Sequence, residues 1–429
     1  MFHNIPDTKQ QRVVIVGAGF GGLAVAEQLV KQKKYQVVLI DKNNYHQFQP
    51  LFYQVATAFL EPSSIAFPLR KIFQDEKNIC IRVTEIKSIA HERNELETSD
   101  MGTLHYDYLV LATGADTNYF GLKNIQAKAI PMKSLDEAMA LSNHFLTNLE
   151  EAVTTQDPEK RAALMNIVVV GGGPTGVEIA GTLAEMKRYI LPRDYPEMDF
   201  AGMRIRLYEN SPEVLGSMSE NAQKNAKKYL EELGVEVCTG MGVADYDGET
   251  VVMRDGSTLR ANTLIWAAGV RGVAPAGIPN ELFARGSRMM TDEYCLLKGF
   301  DNIFAIGDTA VTTHEAAYPN GYPQVAPVAM QQGALIGKNL GKERHKWAAF
   351  VYNNQGAMAT VGRNKAVVDL PQFQFQGFFA WVVWMFVHLM SIMGMKNRVL
   401  VLINWAWNYV TFDQSLRLIM RPREKQNQQ

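Results

Sequence analysis

Gly17-Ala18-Gly19-Phe20-Gly21-Gly22 and Gly171-Gly172-Gly173-Pro174-Thr175-Gly176 are two glycine loops of the form GxGxxG. Residue types in this pattern hold a pyrophosphate. The first glycine permits a tight turn, the second lets backbone approach the anion, and the third lets a helix pack on its strand, with the helix N-terminus offering unpaired N–H groups. A carboxylate on the following strand completes each set: Asp41 for the first and Glu209 for the second. Such an acid accepts hydrogen bonds from ribose hydroxyls. At Glu209, followed by Asn210 rather than a base, it also repels a 2′-phosphate, so the second site is expected to take NADH rather than NADPH.

Each constellation needs a strand, a helix and a second strand to position it. Residues 12–16 and 36–40 are β-branched runs suited to buried parallel strands, and residues 166–170 and 204–208 repeat them around the second loop. The second acid lies farther from its loop because residues 188–196 interrupt the pattern. Residues 108–115, with Thr113 and Gly114, and residues 301–308, with Gly307 and Asp308, resemble the ATG and terminal GD motifs of two-dinucleotide flavoproteins. That resemblance makes the first cofactor FAD. Asp308 would hold the ribityl hydroxyls, and a helix starting near Val325 would aim its first N–H groups at the flavin. Residues 263–270, ending in Gly269 and Val270, look like the matching strand of the second site.

The expected fold is α/β: two Rossmann-like dinucleotide-binding domains, the second inserted in the first, plus a C-terminal amphipathic helical segment. The expected limits are 8–125 and 291–370 for the FAD domain, 126–290 for the NADH domain and 371–429 for the membrane-associating helices. With 43 basic and 44 acidic residues the chain gives no support for nucleic acid as a partner. Cys80, Cys238 and Cys295 form no CxxC pair, which excludes a dithiol relay and suggests no metal site; each is expected to be a small buried hydrophobe. Electrons must then leave the flavin for their acceptor directly. The first eleven residues are short and polar, leaving no room for a signal peptide, so the catalytic domains are expected on the cytoplasmic side.

Residues 41–57, which include Lys42, His46 and Pro50, together with both loops, the Gly307-Asp308 pair, residues 326–333 and a tryptophan-rich C-terminus, resemble the type II NADH:quinone oxidoreductases. The likeness runs nearly end to end. It implies a non-proton-pumping respiratory enzyme in which FAD takes a hydride from NADH and gives two electrons to a membrane quinone. It further implies that Glu178 is catalytic, ordering the nicotinamide and passing a proton to the quinone; the plainer alternative is a carboxylate complementing the helix dipole. Lys365 matches a lysine beside the flavin, or else is a solvated lysine. Ala329 and Met330 fall at the flavin, and His46, Pro50, Ala326, Gln331 and Gln332 at the quinone. Pro327 stands where the family usually has glutamine, leaving Gln331 or Gln332 to substitute, or packing alone to hold the quinone. The two glutamines could equally be a solvated helix face. A homodimer is the expected assembly.

Residues 377–395 carry no Asp, Glu, Lys or Arg, and a second apolar stretch, 399–412, is too short to cross back as a helix. Trp381, Trp384, Trp405, Trp407 and Tyr409 suit headgroup depth. Lys396, Arg398, Arg417, Arg421, Arg423 and Lys425 outnumber Asp413 and Glu424, which suits an anionic leaflet. Two interfacial helices on a bilayer surface are expected. The competing readings are an NADH-responsive sensor or interaction protein resembling apoptosis-inducing factor, and an NADH:ferredoxin-type reductase.

Overall fold

The computed structural model describes residues 4–412 and 416–420. Asp413, Arg421, Arg423, Glu424 and Lys425, five of the charged residues counted for the C-terminal end, lie outside the described residues. The chain forms two compact units: residues 1–46, 67–116 and 270–355 make unit 1, and residues 47–66, 117–269 and 356–429 make unit 2.

Unit 1 is organised on a five-stranded parallel sheet in the order Ile303–Ala305, Tyr108–Leu111, Arg12–Val16, Gln36–Asp41, Ile79–Val83. Val13, Val14, Ile15, Val37, Val38 and Leu39 are fully buried, as strands covered on both faces must be. The helix Phe20–Gln32 follows the first loop and packs on the helix Ala326–Leu340. Their axes come close because Gly333 has no side chain: a Cβ there would lie 2.4 Å from the Gly21 carbonyl oxygen.

Unit 2 repeats the plan with the order Ile130–Pro131, Thr263–Trp266, Ile167–Val170, Ile205–Glu209, Val235–Thr239, again parallel. In both sheets the loop-bearing strand lies between the strand ending in the ribose acid and the strand of ATG type. A ligand binds beyond the carboxyl ends of strands at such a place. Unit 2 also holds the antiparallel hairpins Ala357–Thr360, Ala366–Asp369, Gln374–Gly377 and the helices Phe378–Ser391 and Met395–Thr411.

Residues 47–66, placed by sequence with the first nucleotide domain, cluster instead with unit 2. The reason is polar as well as apolar: Trp405 Nε1 donates to buried Gln54 Oε1 at 2.8 Å, and Asn408 Nδ2 reaches the Phe59 carbonyl at 3.5 Å. Residues 356–370 join unit 2 for the same kind of reason, through the helix Pro174–Glu185. The expected interruption at 188–196 is partly helical: Met186–Ile190 is a π-helix running into Leu191–Asp194. Pro192 has no N–H to continue the α ladder, and the wider turn absorbs the missing bond. Cys295 is buried as expected, but Cys80 and Cys238 are only half-buried.

No helix among the described residues is long and apolar enough to cross a membrane. Each C-terminal helix buries a narrow stripe and exposes the rest: Trp384 and Ala380 are buried on the first, Val401 and Trp405 on the second. Phe379, Phe386, Met390, Ile403, Trp407 and Val410 remain exposed.

Candidate functional site

The two glycine cradles are built bond for bond alike. Gly17 N donates to the Ile40 carbonyl at 2.7 Å, and Gly171 N to the Tyr208 carbonyl at 2.8 Å. Gly17 and Gly171 sit at φ +102° and +110°, where a side chain is strained. A Cβ on Gly22 would lie 1.8 Å from the Gly17 oxygen, and one on Gly176 would lie 1.8 Å from the Gly171 oxygen. Gly19 and Gly173, by contrast, face open space and cap their helices without any side-chain hydrogen bond. The helix N–H groups are therefore left for an anion, with Pro174 and Thr175 exposed at the second N-terminus. These cradles fit two dinucleotides.

The acids also match. Asp41 Oδ2 accepts from Ala18 N and Glu209 Oε2 from Gly172 N, both at 2.6 Å. Burial raises the Asp41 pKa from its ordinary value, against the opposing backbone N–H groups of Ala18 and Asn43. Arg254, distant in sequence, donates to Asn210 Oδ1 at 2.8 Å, so a base does stand next to the second acid. Sequence reading missed it because the adjacency is made only by folding.

In unit 1 the structure gathers Gly21, Gly307 and Ala329: the Gly307 φ is +69°, and its Cβ position lies 3.0 Å from that of Ala329. Gln332 is only 2 % exposed and accepts from Gly307 N at 2.8 Å, so it is not a solvated residue. Gln331 exchanges two 3.0 Å hydrogen bonds with the Asn353 backbone. Asp308 accepts at its backbone carbonyl from Gln324, and Thr113 donates to the Val273 carbonyl near Gly114, at φ +69°. Lys42 is exposed and Met330 is 48 % exposed. Ala326 and Pro327 open their helix, with Val325 as the capping residue. His46, expected at the quinone, lies against the first loop: its Nδ1 is 3.0 Å from the Ala18 carbonyl oxygen, and its ring meets Phe20 edge-on at 5.1 Å. Burial lowers its pKa.

In unit 2, Pro50 sits in the short turn Gln49–Leu51, and Gly269 abuts the exposed Phe120 ring. Lys365 pairs with Glu232 and lies 5.1 Å from the Tyr229 ring centroid, so it is not a freely solvated lysine. Glu178 is past the first turn of its helix, which begins at Pro174. It is 7 % exposed, and burial pushes its pKa up to about 8, against the smaller opposing effects of the Thr360 backbone and the Trp384 indole. The Trp384 Nε1 is buried and makes no hydrogen bond of standard geometry. Burial therefore favours the neutral form of Glu178.

Around it lie Tyr53, which sequence reading passed over, and Trp384, expected at headgroup depth but buried here. Tyr53 is 4 % exposed and accepts from Gln54 Nε2 at 2.9 Å, and Trp384 stacks on His388 at 4.0 Å. Burial lowers the His388 pKa to about 4. Glu178, Thr182 and Glu185 recur at helical spacing in an otherwise apolar helix, and that pattern was the available signal.

The chain matches the family model for pyridine nucleotide-disulphide oxidoreductases over residues 11–333 and that for the NDH2 C-terminal domain over residues 354–411. It is 33 % identical to the type II NADH:quinone oxidoreductase Ndh of Mycobacterium tuberculosis, over 94 % of this chain and 89 % of that protein. The NdhA protein of the same organism is 34 % identical, over 94 % and 87 %. In fold it is similar to the NDH2 of Plasmodium falciparum solved in complex with NADH, with a TM-score of 0.88 at 21 % identity over 96 % of this chain and all of that one. With two matched nucleotide cradles and relatives of this closeness over nearly their whole length, the chain belongs to the type II NADH:quinone oxidoreductase family.

Proposed function

We propose that this chain is a FAD-dependent NADH:quinone oxidoreductase that does not pump protons and works at a membrane surface. The observation that carries the reading is the doubled cradle in a chain whose three cysteines form no pair, which leaves a flavin as the relay. A bound flavin supplies the two-electron chemistry, accepting hydride from NADH and releasing the electron pair to quinone. In this reading Gly17 to Gly22, Asp41, Thr113, Gly114, Gly307, Asp308 and Ala329 hold it, while Gly171 to Gly176 and Glu209 hold NADH. Asp41 and Glu209, each already aligned by a backbone N–H, orient the two riboses. Glu209 disfavours a 2′-phosphate.

Glu178 holds the proton that a quinone oxygen needs once it gains electrons. Its burial keeps that proton in place until then. The exposed apolar faces of the helices Phe378–Ser391 and Met395–Thr411 support docking on a bilayer, where a quinone's isoprenoid tail also resides. The same reading puts the enzyme on the cytoplasmic side of the inner membrane and as a homodimer, which sizing in detergent checks.

The test is spectroscopic. NADH should bleach the flavin absorbance, and a soluble quinone analogue should restore it within turnover time. A reduced form that persists with quinone present would instead support the sensor reading, which the family does not favour.

A further inference from the structure

A cavity of about 70 Å³ lies in unit 2, lined by Tyr53, Thr182, Glu185, Arg363 and Tyr409 and by Thr360 and Trp384, the two groups that act on the Glu178 carboxyl. A cavity of about 150 Å³ is what a benzene ring occupies, whereas one water needs about 10–15 Å³. The space can therefore hold several waters. Its wall mixes aromatic side chains with groups that can hold water: a phenol, two threonine hydroxyls, a carboxyl and a guanidinium.

Glu178, Thr182 and Glu185 stand at i, i+4 and i+7 on the helix Pro174–Glu185, hence on one face. At a rise of about 1.5 Å per residue the two residues are about 10 Å apart along the axis, two turns of helix. Thr182, whose hydroxyl donates to the Glu178 carbonyl at 2.8 Å, lies between them. The fold goes to some length to fix Glu185. Gly181 meets the Gly362 backbone, where a Cβ would come within 3.1 Å of the Gly362 nitrogen, and Gly362 adopts φ +69°. That close approach brings Arg363 N within 2.6 Å of Glu185 Oε1.

We propose that this cavity and the stripe Glu178, Thr182, Glu185 form a hydrated proton route, with Glu185 passing protons from solvent to Glu178. The proposal rests on the donor role of Glu178 given above. Each turnover takes two electrons from NADH and one proton from solvent beyond the one NADH carries. On the route only O–H bonds change: Glu185 gives its proton to cavity water, water passes one to the Glu178 carboxylate, and solvent reloads Glu185. Burial raises the Glu185 pKa, against the Arg363 backbone N–H and the charges of Arg363 and Lys365. Tyr53 faces both carboxyls, and Tyr409 lines the same cavity beside Arg363.

Glu185 acts through Glu178, so its test must separate proton delivery from structure. Glu185→Gln keeps an acceptor for Arg363 N. In the holoenzyme at pH 8, its turnover with a soluble quinone analogue, divided by its turnover with ferricyanide, which takes up no proton, should fall about tenfold. The deficit should shrink toward pH 6 and be partly relieved by imidazolium buffer. A ratio equal to the parent's at every pH, or a loss that is constant with pH and blind to buffer acid, overturns the route. Thr182→Val, which leaves the Glu185 and Arg363 contact intact, should give a smaller deficit with the same pH dependence, and it carries the test should Glu185→Gln not fold. Glu178→Gln separates the two proposals: slow quinone turnover there with normal turnover in Glu185→Gln sinks the relay alone, whereas normal turnover in Glu178→Gln sinks the donor role as well.

Discussion

Glu178→Gln should make the enzyme slower and, at alkaline pH, more stable. Glu178 has its pKa raised from 4.5 to about 8, first by burial. The folded chain therefore holds this proton across the interval from pH 4.5 to about 8 in which the unfolded chain has released it. Stability from that proton is complete below about 4.5, declines through the interval, and is gone above about 8. With each tenfold in proton affinity worth about 1.4 kcal/mol, ionised Glu178 costs the fold up to about 5 kcal/mol at pH 9. A neutral glutamine of the same shape avoids that cost. Thermal unfolding of the holoenzyme at pH 5, 7 and 9 should show parent and variant melting together at pH 5 and the variant higher at pH 9, by the order of 10 °C. Quinone turnover should move the other way, falling at least about a hundredfold at pH 7 for want of a general acid, and in the parent it should decline above pH 8. Equal melting temperatures at pH 9 would refute the reasoning, because the carboxyl would then be solvated and ionised without cost.

The remaining predictions test the cradles and the docking surface. Gly22→Ala puts a Cβ 1.8 Å from the Gly17 oxygen and should give a colourless protein, whereas Gly176→Ala should keep its flavin spectrum but lose saturable NADH binding by titration. Glu209→Ala removes the carboxylate beside Asn210 and leaves Arg254 near a 2′-phosphate, so the kcat/KM ratio of NADPH to NADH should rise about tenfold to a hundredfold. Ile403→Asp with Trp407→Asp places charge on the exposed apolar face of the second C-terminal helix. Each lost apolar contact is worth about 1.5–3 kcal/mol, so co-sedimentation with anionic vesicles should fall more than about tenfold while ferricyanide reduction persists.

Both cradles were legible in the sequence because a pyrophosphate loop is largely a local device: strand, glycines, helix and terminal acid lie within one βαβ unit, and Gly22 and Gly176 answer a steric demand within their own loop, while Gly17 and Gly171 make room for the distant Ala112 and Ala267 carbonyls. Gly17, Gly22, Gly171 and Gly176 meet that demand at φ values and close approaches that no other residue type tolerates. The two C-terminal helices were legible as helices for a similar reason, but Trp384 and Trp405, expected at headgroup depth, are buried inside the protein.

What tertiary structure alone decided is the company each polar group keeps. His46 meets Ala18, Gln332 meets Gly307, Arg254 meets Asn210, and Gln54 meets Trp405. No spacing rule predicts these pairs, since buried donors and acceptors take whichever partner the packing brings within about 3 Å. Glu178 shows the division most sharply. Its type and position were readable, but its protonation was not, because a carboxyl's pKa depends on the water removed around it, and that burial exists only once the chain has folded.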